Sequence, residues 1–277
     1  MNGGDRFGIG WRPELAAAIF THLDRIDVVE VIADDYFRAA PKQVRAIRML
    51  ARQLPVTLHG VGLGLATTCA LDTERLDSMA RLADAVCPES WSEHLAFVRA
   101  GGIEIGHLAA PPRNEATLEA ARRNASTAAA RVGLAPQLEN VATFFDPPGS
   151  TVGEPEWLQS LFAGTPAGLL LDLHNVYTNS VNLGYDAMAF LRRLPLDRVQ
   201  LVHIAGGRMI GEKLLDDHLH DVPDVVYELL RETAALTPQP LTVILERDGR
   251  YPQIPELLKQ LDWARRAVEE GRSRIAA

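Results

Sequence analysis

The feature that most restricts this chain is an alternation, kept from one end to the other, of short β-rich runs with helical stretches. The runs are FGIGW (7–11), VVEVIA (28–33), VTLHGVG (56–62), WSEHLAF (91–97), QLEN (137–140), GLLLDLHN (168–175), RVQLVHIAG (198–206) and LTVILERD (241–248). Helical stretches fill the gaps. Pro13 and Pro41 stand where a first-turn proline is tolerated. Residues 73–86 carry apolar positions at helical spacing, and Gly133 is placed to end the Ala-rich stretch before it. Strand then helix, repeated eight times at about 35 residues a unit, is the pattern of a closed parallel (β/α)8 barrel, which takes roughly 250 residues. The chain has 277. An open doubly wound sheet would show a Gly-rich first turn, whereas Gly8 and Gly10 lead into Trp11-Arg12-Pro13. The expectation is one α/β domain over residues 1–277, a TIM barrel, with 268–277 as a frayed tail.

Charge and cysteine usage narrow the function classes. Lys plus Arg number 28 against 36 Asp plus Glu, a formal net charge of −8. Such a surface repels phosphate backbones, which argues against nucleic-acid partners and an anionic-membrane footprint. The two cysteines, Cys69 and Cys87, form no disulfide framework or C-x-x-C spacing. There is no basic n-region with an apolar core at the N-terminus and no long uncharged apolar run. These features predict a cytoplasmic protein.

In a barrel of this kind, chemistry sits at the C-terminal ends of the strands. Metal-ligand residue types fall there in succession: His59, His94, Glu139, Asp172, His203 and Glu246, with Asp216 and His218 in the connection before the last strand. One histidine at a strand end is more often structural than a ligand. Six strand ends carrying ionisable groups are different, because buried unpaired charge is costly and cations relieve it. Imidazole with carboxylate suits iron, zinc or manganese.

The order His, His, Glu, Asp, His, Asp-x-His, Glu resembles the trinuclear metal barrels of the xylose-isomerase-like superfamily. LHGVGLGL (58–65), SEHLAF (92–97), LENV (138–141), LLLDLHNVYTN (169–179), VHIAGG (202–207), LLDDH (214–218) and ILERD (244–248) are similar to one group within it. That group is the multinuclear non-haem iron-dependent oxidative enzymes, which modify ribosomally made peptides. The resemblance runs from about Gly8 to Pro255. It implies a first metal position at His59, His94 and Glu139. A second would use Glu139 as a bridge with Asp172, His203 and Glu246, and a third Asn175, Asp216 and His218. Glu139, Asp172 and His203 would be the catalytic core.

The chain departs from the family pattern in places. His174 stands where Asn is usual and, by strand alternation, would share a face with Asp172 as a competing ligand. Gly207 replaces the final His of an HLAGH motif, and Asp35 replaces an Asn expected to touch substrate. Arg208 is a candidate for a peptide carboxylate. The resemblance implies two or three iron ions in mixed Fe(II)/Fe(III) states and O2 as co-substrate. Cysteine or another residue of a precursor peptide would be oxidised, for example to oxazolone with thioamide or by excision of the cysteine β-carbon. A separate leader-binding partner protein is expected. The rivals are a trinuclear zinc phosphodiesterase and a sugar isomerase or epimerase working through Glu139 and Glu246.

Overall fold

The computed structural model describes residues 4–100 and 103–275. Its strands are β1 (Arg6–Trp11), β2 (Val28–Ile32), β3 (Val56–Gly60), β4 (Ser90–His94), β5 (Phe97–Ala100), β6 (Ile103–Ala109), β7 (Gln137–Glu139), β8 (Gly168–Asp172), β9 (Val199–Ile204), β10 (Arg208–Ile210), β11 (Lys213–Leu215) and β12 (Thr242–Leu245). The helices are α1 (Ala16–Phe20), α2 (Pro41–Leu50), α3 (Thr73–Val86), α4 (Glu115–Val132), α5 (Glu154–Ala163), α6 (Leu173–Leu183), α7 (Ala187–Leu191), α8 (Asp224–Leu236) and α9 (Ile254–Ile275).

Eight of the strands hydrogen-bond in the order β1-β12-β9-β8-β7-β4-β3-β2 and the ring closes. This is the expected (β/α)8 barrel. The strands are buried along their length, which is why they read as near-continuous apolar runs. Leu169, Leu170 and Leu171 of β8 are fully buried, each side chain contributing about 1.5–3 kcal/mol. The register sets the ligand-bearing ends side by side: His59 lies opposite Ser92, His94 opposite Glu139, and His203 opposite Ile244.

Two compact units make up the chain, Met1–Val29 with Ala142–Phe145 and Leu170–Ala277, and Glu30–Val141 with Asp146–Leu169. In the second, α3 starts where Asp72 accepts from the Glu74 and Arg75 amides, and α4 where Asn114 accepts from Thr117. Gly133 ends α4 with φ 80°, a left-handed cap that glycine adopts without cost. The buried face of α4 is Ala120, Ala121, Ala125 and Ala128. In the first unit, Asp172 caps α6 by accepting from the Asn175 amide.

Several expectations are corrected. The run 168–175 is strand only to Asp172; His174 and Asn175 lie in the first turn of α6, so strand alternation does not place His174. The reason is the Asp172 cap, which turns the chain into helix at once. Residues 91–97 are strand only to His94, and Phe97 opens an antiparallel hairpin, β5–β6, that continues outside the run. A second hairpin, β10–β11, pairs Arg208 with Leu215. Both hairpins lie outside the barrel order, so the repeat of strand and helix did not signal them.

The expected tail at 268–277 is helix through Ile275, with residues 276–277 outside the described set. Arg272 holds it. Its guanidinium donates to both carboxylate oxygens of Asp5, at 3.0 and 2.7 Å, and to the carbonyls of Ala234 and Gln239.

Candidate metal centre

The first group is built on β3, β4 and β7. His59 is 2% exposed, and its Nδ1 lies 2.8 Å from Ser92 Oγ. His94 Nδ1 lies 3.2 Å from the Gly60 carbonyl, which can only accept. With each Nδ1 engaged, the Nε2 atoms face one carboxylate oxygen, Glu139 Oε2, at 3.5 and 3.4 Å. Fixing one ring nitrogen so that the other can ligate is what partners around a metal-bound histidine do. Beneath them Glu93 is fully buried and accepts from the amides of His94 and Leu63. Burial, helped by the Asp34 charge, pushes its carboxyl well above the usual range.

The second group takes Asp172 from the end of β8, His203 from β9 and Glu246 from just after β12. His203 Nδ1 lies 3.1 Å from Glu246 Oε2, and Asp172 Oδ1 accepts from the Asn175 amide at 2.6 Å. Each of the three offers a ligand atom within 4.8 Å of the others. None is more than 4% exposed. Two carboxylates gathered in a buried space repel one another unless protons or a cation compensate. One imidazole among them makes the set a fit for a divalent or trivalent transition ion.

The third group is His174, Asp216 and His218. Asp216 Oδ1 stands 2.6 Å from His174 Nδ1 and 2.8 Å from His218 Nε2. Burial would raise the Asp216 carboxyl, but the two imidazoles outweigh it and hold it well below the carboxylate range. Burial likewise opposes charge on His218, yet Asp216 and Glu246 raise it well above the ordinary histidine value. His174 is fully buried, and its Nε2 has no hydrogen-bond partner among the described residues. A polar atom left so in the interior is costly unless something binds there.

Gly207 accounts for the room beside it. A Cβ there would lie 2.2 Å from the Leu215 carbonyl oxygen and 2.7 Å from His174 Cε1. The missing histidine at 207 and the added one at 174 therefore occur at neighbouring positions. Asn175 follows His174 on the first turn of α6 and is 3% exposed.

The two residues expected at substrate, Arg208 and Asp35, are both exposed. Arg208 is half exposed on β10 and pairs with Asp217 at 3.2 Å. Asp35 is exposed in a short turn after β2, and its neighbour Asp34 accepts from the Val61 amide. His107 is exposed on β6, and His220 pairs with Asp217 at 3.0 Å. Sequence reasoning missed Ser92 and Glu93; their place in S-E-H, two and one before a ligand, was the available signal. Cys69 and Cys87 are exposed and free. No helix is long and apolar enough to cross a membrane, among the described residues.

The chain is similar to a UPF0276 protein of Streptomyces avermitilis, 36% identical over 275 residues, covering 96% of this chain and 56% of that one. It thus spans little more than half of that relative. A UPF0276 protein of Bordetella bronchiseptica is 33% identical, with 96% and 93% covered. Among solved structures, an L-ribulose 3-epimerase superposes with TM-score 0.61 at 12% identity, covering 98% of this chain and 97% of that one. D-psicose 3-epimerase from Clostridium cellulolyticum gives 0.58 at 13%, with 98% and 99% covered. At such identities these likenesses show the barrel fold alone. The family model for the RiPP precursor modification enzymes MbnB/TglH/ChrH matches residues 6–269, and the chain belongs to that family.

Proposed function

We propose that this chain holds two or three iron ions, in mixed Fe(II)/Fe(III) states, and uses O2 to oxidise a cysteine or another residue of a ribosomally made precursor peptide. The observation that carries this is the gathering of buried imidazoles and carboxylates into three donor groups, in a chain whose family modifies such precursors. Iron bound there would supply the one-electron chemistry and a soft anchoring point for a substrate thiolate.

The chain's own residues position and compensate. His59 and His94 offer Nε2 atoms whose orientation Ser92 and Gly60 help fix. Glu139 would hold iron together with His59 and His94 and would also serve the second group as the shared ligand. Asp172 and His203, with Glu246, would hold an ion and balance its charge; Asp172 also starts the helix that carries His174 and Asn175. His174, Asn175, Asp216 and His218 serve the third ion. Arg208 and Asp35, both exposed, contact the peptide, and a separate small protein presents its leader segment.

Anaerobic purification with metal analysis and Mössbauer spectroscopy tests the reading. More than one iron per chain, with O2 uptake that depends on precursor peptide and a matching mass change, is the expected result. Zinc content with phosphodiesterase activity, or one divalent ion with O2-independent sugar epimerisation, would overturn it. Glu139→Ala should lose ions from both groups it serves and fall below detectable turnover; an active, fully loaded variant contradicts the bridging role.

A further inference from the structure

His218 has a strained backbone and an ordered second contact. Its φ is 53°, in the left-handed region that a non-glycine residue keeps only when its surroundings hold it there. What holds it is Asp248, three residues past the end of β12. The Asp248 amide donates to the His218 carbonyl at 3.0 Å. Asp248 Oδ2 stands 3.2 Å from His218 Nδ1. The other carboxylate oxygen takes a close bond from Arg12 Nη2, and Arg12 is in turn tied through Nη1 to the Trp11 carbonyl at 2.8 Å. Arg12 is 11% exposed at its side chain and Asp248 42%. One residue thus grips both the main chain and the ring of His218, and an arginine fixed at the end of β1 braces that residue.

We propose that Asp248, braced by Arg12, is a positioning residue that keeps the His218 proton on Nδ1 and aims Nε2 at the third ion. A neutral imidazole carries one proton, so a carboxylate accepting from Nδ1 leaves the Nε2 lone pair for the metal. Glu246 Oε2 also faces Nδ1, at 3.4 Å, but it lies closer to His203. The proposal rests on reading His174, Asp216 and His218 as a metal-binding group. It adds that this group depends on two residues that touch no ion. Partners of this sort are typically worth 10–100-fold in metal affinity.

The test is anaerobic titration of the metal-free protein with Co(II), read by visible absorption, with metal content after desalting and thermal midpoint measured alongside. In Asp248→Ala the ion that His218→Ala removes should bind about 10–100-fold less tightly while the others stay bound. Asp248→Asn keeps an oxygen for Nδ1–H and should recover part of the loss. Arg12→Gln should shift the same ion in the same direction by less. His218→Ala serves as the reference and should remove that ion altogether. If Asp248→Ala titrates as the wild type does while His218→Ala loses an ion, the positioning role is overturned and the metal group stands. If all ions are lost together with a collapse in thermal midpoint in both Asp248 variants, the residue is merely structural and the proposal fails. If His218→Ala keeps the wild-type stoichiometry, the metal reading of the group falls and this proposal with it.

Discussion

At the scale of single residues, Gly207 and His174 act as a pair. The space a side chain at 207 would need is filled by the His174 ring and the Leu215 carbonyl. Gly207→Ala should therefore cost about 1–3 kcal/mol, as overpacking does, and push the imidazole off Asp216. The expected outcome is a lower thermal midpoint together with loss of one ion per chain in metal analysis. A stable Gly207→Ala protein with full metal content would mean the ring has somewhere else to go. The sequence showed both departures, a histidine gained at 174 and one lost at 207. It could not show that the two positions meet, because they lie on different units of the repeat and only the folded register brings them together.

At the scale of elements, the N-terminus of α5 carries a titration that affects stability. Burial raises the Glu154 carboxyl to about 7; Arg113 pulls it down and Asp146 pushes it up, without changing the outcome. The folded chain then keeps this proton at pH values where the unfolded chain has lost it, from about 4.5 upward. More protons bound in the native state means stability falls as pH rises through that window, and the contribution is gone above about pH 7. Glu154→Gln should flatten the decline between those limits, measured as the difference between wild-type and variant chemical denaturation across pH. An unchanged slope would show that Glu154 does not carry it.

The helix ends themselves were largely legible. Gly133 caps α4 as its position suggested, and Pro41 opens α2. The two hairpins were not legible. Three of their strands have only three or four residues, and the longer β6 is mostly exposed and lacks the alternation that marks a strand with one buried face.

At the scale of the whole molecule, the barrel was readable because eight buried parallel strands leave eight apolar runs, six of them carrying an ionisable residue at the same end. The ligand types at those ends were readable for the same reason. The grouping was not, since spacing along the chain says nothing about which carboxylate faces which imidazole. The C-terminus misled because GRSRIAA looks like a polar tail. Arg272 instead joins Asp5 to carbonyls in the last turn of α8 and just past it. Arg272→Ala should lower stability by about 1–3 kcal/mol, seen as a shifted denaturation midpoint, whereas a frayed tail would give none. Metal should act in the opposite direction. An ion that binds only the folded chain, present at about 100 times its dissociation constant, adds about 2.7 kcal/mol. Chelation should therefore lower the thermal midpoint, and readdition restore it.

Asp172 is the last residue of β8 and Leu173 the first of α6, so no linker separates strand from helix. Other barrel corners can absorb a longer loop, but this one has no slack. A single residue inserted between Asp172 and His174 would swing everything after it by about 100° around the helix axis. The histidine and the asparagine would then leave their stations while the aspartate stayed behind. Length variation among relatives should be excluded from this corner even where neighbouring corners drift freely.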